Sequence, residues 1–284
     1  MRIYILGGSG MVGTAVIKHF TEHTLSAPGV TCPRVDIRDY YALQDSIIKF
    51  GPDFIINLAA LCDMEACQQE PKKALNIHAL GTANVALIAS DLDIPLLYLS
   101  SACVFDGTQP EYTVFDQTKP ISTYGKTKLM GEQITRSIPK HFVVRTEWCF
   151  GGGQTDTKFI GKIYKQIVDG KTTINAVGDK FGSLSYLPDL CQAIDAILRS
   201  GKFGTYHVSC EGAASRYEIA KEFVRLLGRT DITVNCVGSA FFMTKGYDAP
   251  RPESEVLVNS VIPGFSPRPW RECLAEYAKE FTEE

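Results

Sequence analysis

One stretch near the start of the 284-residue chain constrains its fold more than any other. Gly7-Gly8-Ser9-Gly10-Met11-Val12-Gly13 places glycines at i, i+3 and i+6, between the apolar run 3–6 and a helix-period stretch over 11–23. A strand that turns sharply into a helix through such glycines opens a dinucleotide-binding βαβ unit. Gly7 permits the tight turn, Gly10 lets a pyrophosphate approach the backbone N–H groups at the helix start, and Gly13 lets helix and sheet pack closely. Gly7, Ser9, Gly10, Met11, Val12 and Gly13 are therefore expected to hold a dinucleotide.

The first half of the chain repeats the same rhythm. Short apolar runs at 3–6, 54–58, 96–100 and 142–145 alternate with helix-period stretches at 11–23, 72–90 and 123–136, and a weaker strand near 30–32 precedes a helix over 41–50. Strand, helix, strand in this order gives right-handed crossovers and a parallel sheet. After Arg145 the texture changes, because Gly151-Gly152-Gly153 opens a polar stretch ahead of a helix over 159–168. A helix at 188–198, a strand at 206–209, a helix at 217–227, a Pro-bearing region over 250–269 and a final amphipathic helix follow. The expected fold is α/β, a Rossmann-type doubly wound parallel sheet with a smaller α/β C-terminal substrate lobe. Residues 1–146 plus about 172–210 are expected in the dinucleotide-binding domain, and about 147–171 and 211–284 in the substrate-binding lobe.

Charge and cysteine usage narrow the partners. With 29 Lys and Arg against 32 Asp and Glu, the chain lacks the basic excess that drives nucleic-acid binding. No apolar run is long enough to cross a bilayer or to serve as a secretory signal, so a cytoplasmic protein is expected. The nine cysteines are scattered and form no Cys-x-x-Cys pair, which reads as reduced core thiols. His19 and His23 share a helix face but have no third ligand nearby, and no metal is expected.

The ribose position suggests which dinucleotide. An NAD enzyme usually carries an acid about 20 residues beyond the glycines. Here that window reads Val30-Thr31-Cys32-Pro33-Arg34, so Arg34 is expected to face a 2′-phosphate, favouring NADP with NAD left open. Asp36 and Ile37 fall beside the adenine.

A catalytic group is legible downstream. Tyr124 and Lys128 are spaced i, i+4 and share a helix face. An ammonium beside a phenol favours the phenolate and eases proton transfer near neutrality, and Lys128 is also placed to hold the nicotinamide ribose. Ser101 follows the run 96–99 and so lies at the carboxyl end of a strand, where open α/β sheets bind ligands. Its hydroxyl is expected to bond a substrate carbonyl. The three together specify carbonyl reduction.

With these parts in place, the chain resembles the extended short-chain dehydrogenase/reductases and, within them, the dTDP-4-dehydrorhamnose reductase family. The resemblance runs along most of the sequence: Leu6 to Gly13, Asp36-Ile37, Pro52 to Ala60, Glu70-Pro71, Leu75-Asn76, Val104 to Gly107, Tyr124 to Glu132, Val144 to Trp148, Phe181-Gly182 and Arg251-Pro252. It implies that Asn57, Leu58, Ala59, Ala60 and Asn76 border the cofactor. It also implies that Trp148 and Arg251 face a nucleotide-linked sugar, whose 4-keto-6-deoxyhexose is reduced. Trp148 suits stacking on that sugar.

Two departures stand out. The family usually follows its catalytic hydroxyl with Asp-Tyr, whereas this chain has Ala102-Cys103, so the substrate end offers no carboxylate there and a different keto-sugar is open. That gap argues against a 4,6-dehydratase, which needs an acid and a base beside the hydroxyl. Some family members bridge subunits through a metal held by a glutamate soon after the third glycine, where this chain has Thr14-Ala15, so no such metal is expected. The expected partner is a nucleotide-sugar substrate, with a homodimer left open and no nucleic acid or membrane. Two rivals remain: an NADP-binding, non-catalytic regulatory subunit, as in a family relative that partners methionine adenosyltransferase, and a nucleotide-sugar epimerase of the same superfamily.

Overall fold

The computed structural model describes residues 1–153, 156–243 and 246–282. In chain order its first half contains β1 (Arg2–Leu6), α1 (Met11–His19), β2 (Thr24–Ser26), α2 (Tyr40–Phe50), β3 (Phe54–Asn57), α3 (Met64–Gln69) and α4 (Pro71–Leu75). A π-helical turn, Asn76–Gly81, leads into α5 (Thr82–Asp91), then β4 (Leu96–Ser101), α6 (Thr123–Arg136) and β5 (His141–Thr146). The second half holds β6 (Cys149–Phe150), α7 (Phe159–Val168), β7 (Thr173–Val177), β8 (Phe181–Gly182), β9 (Ser185–Tyr186), α8 (Leu187–Ser200) and β10 (Gly204–His207). It ends with β11 (Ala214–Ser215), α9 (Arg216–Leu226), β12 (Thr233–Val237), α10 (Ala240–Met243), β13 (Ser254–Glu255) and α11 (Trp270–Lys279).

Six of these strands form one parallel sheet in the order β10-β5-β4-β3-β1-β2. The strands read as continuous apolar runs because both faces are covered. Ile3, Ile5, Ile56, Leu97 and Val144 pack with α1 and α8 on one side. Tyr4, Leu6, Ile55 and Leu96 pack with α2 and α5 on the other. The chain leaves β1 for β2 on one flank and returns to β3 on the opposite flank, so the strand order reverses beside β1. Ligands of open α/β sheets bind at that point, beyond the carboxyl ends of the strands.

Local signals set the helix ends. Asp39 caps α2 by accepting from the Ala42 N–H at 3.1 Å, and Gly51 closes the helix in the left-handed region. Ser122 caps α6 through the Gly125 N–H at 3.0 Å. A buried pair then fixes α6 on the sheet: Arg145 donates to Glu132 through Nε (2.9 Å) and Nη2 (2.8 Å), both side chains being essentially inaccessible.

A second set of elements packs around Phe150, Ile163, Ile174, Phe223 and Tyr277. Its strands make separate small sheets, β7 with β12, β8 with β11 and β13, and β6 with β9. Residues from about 172 were expected with the central sheet; Ile174 and Ala176 of β7 instead bury among α7 and α9 residues, and the chain rejoins the central sheet only at α8. The strand expected near 30–32 also falls elsewhere. Pairing with β1 runs through Thr24–Ser26, and Gly29, with φ +82°, turns the following residues out of the sheet. All nine cysteines are free. Among the described residues no helix is long and apolar enough to cross a membrane.

Candidate active site

A cleft of about 1870 Å³ opens between the carboxyl ends of the central strands and the second set of elements. At one end lies the glycine turn. Gly7 has φ +78°, and a Cβ there would stand 2.7 Å from the Ala59 nitrogen, so the turn presses against the chain leaving β3. A Cβ on Gly13 would sit 2.3 Å from the Gly7 carbonyl oxygen, which makes close helix packing obligatory. Gly10 differs, because its Cβ would meet nothing nearer than that oxygen at 3.4 Å. The protein itself does not require glycine at position 10; a backbone approached by a ligand does.

Helix α1 starts at Gly10 with no side-chain cap and no acid in its first turn, leaving N–H groups for an anion. Deeper in the cleft, the buried Ser100 hydroxyl has no hydrogen-bond partner. An orphaned polar atom, an uncapped helix start and an open glycine together fit a dinucleotide.

Gly7, Ser9, Gly10, Met11, Val12, Gly13, Leu58 and Ala60 line this cleft, as do Ser101, Cys103, Tyr124, Lys128, Trp148 and Arg251. The remaining expected residues lie off it. Asn57 is fully buried and braces the end of β3, donating to Thr82 Oγ1 (3.2 Å) and accepting from the Ala59 N–H (3.1 Å). Asn76 begins the π-helical turn. Arg34 and Asp36 are exposed; Asp36 takes a forked bond from Arg38, which holds its carboxyl down at about 2. Ile37 is buried, and its carbonyl accepts from Asn84. The loop 27–34 does flank the glycine turn, since a Cβ on Gly8 would touch Ala27 and Val30. Ala102 is fully buried with Val104, Phe105 and Tyr112, so it cannot touch a substrate.

At the other end of the cleft stand Ser101, Tyr124 and Lys128. Lys128 Nζ donates to the Leu99 carbonyl (2.6 Å) and lies 4.1 Å from the centre of the Tyr98 ring; burial draws its pKa down to about 8. The Tyr124 phenol is pushed up rather than down, by burial first and then by Cys62, Cys103 and Glu147. It therefore holds its proton, as a donor must. His78, which the motifs did not point to, stands edge-on to Tyr124 at 5.6 Å between ring centres. It accepts from the Leu61 N–H at Nε2 (2.9 Å), which assigns the proton to Nδ1, 2.8 Å from Thr127 Oγ1. Burial lowers its pKa to about 3.

The absence of a carboxylate beside Ser101 needs correction. Ser101 Oγ donates to Glu147 Oε2 at 3.2 Å, and Glu255 stands just beyond, accepting from Cys103 Sγ (2.8 Å) and Trp148 Nε1 (3.0 Å). Both carboxyls are buried and both are raised by that burial. Trp148, at φ +38°, is half-buried where it lines the cleft, with two neighbours already packed on its ring. A Cβ on Gly182 would stand 2.8 Å from its ring, and the Arg216 guanidinium lies 3.8 Å from the ring centre. Arg251 is held by Glu65 (2.7 Å) and the Ala249 carbonyl (2.9 Å). Arg216 has no hydrogen-bond or ion-pair partner among the described residues, stacking only on Trp148 and Phe159, and burial lowers its pKa to about 10. It opens α9 directly after the Ser215 cap and belongs to no ligand-binding motif, so nothing in the sequence marked it.

A parallel sheet with a glycine turn at its reversal point, and a Tyr-Ser-Lys group across the same cleft, define a dinucleotide-dependent oxidoreductase. Residues 1–283 match a family model described as RmlD substrate binding domain, and the chain belongs to that family. It is 32% identical to the dTDP-4-dehydrorhamnose reductase of Mycolicibacterium smegmatis, over 97% of this chain and 84% of that protein. It is 29% identical to the spore coat polysaccharide biosynthesis protein SpsK of Bacillus subtilis, over 98% and 97%. Among solved structures, the dTDP-4-dehydrorhamnose reductase of Yersinia enterocolitica is 33% identical with a TM-score of 0.89, covering 99% of both chains. The Bacillus anthracis reductase, solved in complex with NADP, is 27% identical with a TM-score of 0.89, covering 98% of this chain and 99% of that one.

Proposed function

We propose that this chain reduces the 4-keto group of a nucleotide-linked 4-keto-6-deoxyhexose with NADPH. One observation carries the reading: the Ser101 hydroxyl, the Tyr124 phenol and the Lys128 ammonium line the same cleft as the glycine turn. The Bacillus anthracis relative solved with NADP and the relatives named as reductases support the cofactor and the reaction class.

NADPH bound along the cleft supplies the hydride. The N–H groups at the start of α1, with Gly10 leaving room, hold its pyrophosphate, and Ser100 gains the partner it lacks. Arg34, exposed on the loop beside the glycine turn, would be the residue to hold the 2′-phosphate. Ser101 donates to the ketone oxygen and Tyr124 gives that oxygen its proton as negative charge develops. Lys128, fixed by the Leu99 carbonyl, stabilises the phenolate left behind. We assign the central sheet with α8 and β10 to dinucleotide binding, and the elements around Phe150 and Phe223 to the nucleotide-sugar.

The test is NADPH consumption with dTDP-4-keto-6-deoxyglucose and dTDP-4-dehydrorhamnose, followed by loss of reduced-nicotinamide absorbance. Tyr124→Phe should lower kcat by about 10²–10⁴, the usual worth of general acid catalysis, while NADPH still binds. Wild-type protein that binds NADPH but consumes none with either sugar would refute the reading and favour the regulatory alternative.

A further inference from the structure

Reduction as described gives tasks to Ser101, Tyr124 and Lys128 and leaves three groups on the same wall without one. The ligating atoms of Cys103, Glu147 and Glu255 all lie within 4.8 Å of one another. The residues are 4%, 8% and 6% exposed, and all three border the cleft. They arrive from separate segments, just after β4, just after β5 and in β13. Two carboxyls side by side in a dry site are costly unless a proton or a cation offsets them. Arg216, the nearby cation, is stacked on Trp148 and Phe159 and makes no ion pair with either carboxyl. Arg216 offsets part of the pair's charge through space, yet burial still raises both carboxyls, which favours a proton shared between them. The thiol donates its proton to Glu255 and burial beside the carboxyls pushes its pKa up, so it is held as a protonated hydrogen-bond donor rather than as a metal-binding thiolate.

Position gives this proton store its use. Glu147 Oε2 is 3.2 Å from Ser101 Oγ, the hydroxyl assigned above to the ketone oxygen. A ketone held by that hydroxyl would bring its flanking C–H bonds, the acidic ones of a keto-sugar, toward a carboxyl only one hydrogen bond away. The Tyr124 side chain lines the same end of the cleft, where its phenol can donate to that oxygen.

We propose that Glu147, Glu255 and Cys103 form an acid–base group that removes and returns a proton on a carbon next to the ketone, so that the site catalyses enolisation of its substrate as well as reduction. Glu147 takes the proton; the C–H electron pair becomes the carbon–carbon double bond of an enolate, and the carbonyl electrons move to oxygen, held by Ser101 and Tyr124. Return of a proton from Glu147, either the one it took or one exchanged with water in the cleft it borders, restores the ketone. No electrons leave the substrate and no co-reactant is consumed. The proposal rests on the reading that Ser101 binds the ketone.

The experiment is solvent exchange. Wild-type protein with NADP⁺, which fills the cofactor site without a hydride to give, is mixed with dTDP-4-keto-6-deoxyglucose in D₂O, and deuterium beside the ketone is followed by mass spectrometry and proton NMR. Enzyme should accelerate incorporation by about 10² or more over buffer, the scale of positioned acid–base groups. Glu147→Gln should lose most of that gain, and Glu147→Asp should recover part of it. Should Glu147→Gln fail to fold, the wild-type measurement still decides. Reduction with NADPH but exchange no faster than buffer overturns this proposal and leaves the reductase reading standing. Exchange without reduction supports the acid–base group and removes the reductase reading. Neither reaction overturns both.

Discussion

The two ends of the cleft are built on different principles. At the dinucleotide end, recognition comes from backbone: seven consecutive residues supply a turn, an uncapped helix start and a close helix contact. At the end proposed for the sugar, the converging groups are side chains delivered by β4, β5, β13 and α9, whose residues lie as far apart as Cys103 and Glu255. Backbone recognition must be local in sequence, because neighbouring amides have to converge. Side-chain recognition has no such requirement.

The contrast can be broken most forcefully at the glycines. Gly13→Ala drives a Cβ to 2.3 Å from the Gly7 oxygen and 2.6 Å from the Gly8 Cα, backbone atoms that cannot step aside. It should cost about 3 kcal/mol or more of stability, at the upper end of overpacking effects, visible as a lowered Tm without any ligand. Gly10→Ala meets only an oxygen at 3.4 Å and should leave Tm within a degree or two, yet weaken NADPH binding in a fluorescence titration. Equal loss of Tm in both variants would mean that Gly10 is a folding residue and that the turn is not shaped for a ligand.

A second, smaller effect separates the lobes by acid. All five histidines lie in segments that pack with the central sheet, and two of them, His78 and His207, are fully buried with pKa values lowered to about 3. Burial is the first cause for each; Lys128 adds to it at His78 and Arg145 at His207. An unfolded histidine takes up a proton near pH 6.5, so between about 6.5 and 3 the unfolded state binds more protons and stability falls as pH falls. At pH 5.5 the loss should be about 1.4 kcal/mol for each histidine relative to pH 8. Amide hydrogen exchange at pH 5.5, corrected for intrinsic rates, should show β4, α6 and β10 losing protection before α7, α9 and α11. Uniform loss across both would mean that the two cores unfold as one.

The same division explains what could be read before the fold was known. The strand–helix rhythm, the glycine turn and the Tyr124–Lys128 pair were legible because each is a short-range pattern, and they located the cleft. The strand expected near residue 31 was misplaced because Gly29 and Pro28 turn the chain after Ser26, and Val30 and Thr31 bond back to the Ala27 carbonyl instead of pairing with β1. The boundary near 172 was obscured because β7, Thr173-Ile174-Asn175-Ala176-Val177, carries no apolar run to announce it, and only its pairing with β12 reveals which core it joins. At the sugar end, Ala102 drew notice through its neighbour Ser101 but points into the core, while Glu147 and Glu255 replaced the missing carboxylate from remote segments. Ordinary residues in ordinary positions carry no periodicity that could announce such a meeting.

Arg216 gives the mildest test, and the one most specific to side-chain recognition. Its guanidinium is stacked between Trp148 and Phe159, lines the cleft, and has its pKa lowered to about 10 by burial, with no carboxylate bonded to it. A half-buried arginine without an ion-pair partner adds little to stability, so its presence needs another reason, and an anionic ligand group such as a diphosphate supplies one. Arg216→Met keeps the stacking volume and removes the charge. Its Tm should stay level or rise slightly, while KM for the nucleotide-sugar rises about tenfold, or about 1.4 kcal/mol, with kcat little changed. Arg251 is already engaged by Glu65 and the Ala249 carbonyl, so Arg251→Met should move KM less and instead loosen the loop those bonds hold. If Arg251→Met raises KM more than Arg216→Met does, the free guanidinium is not the anion-binding one, and the contact with Glu65 must open when substrate arrives.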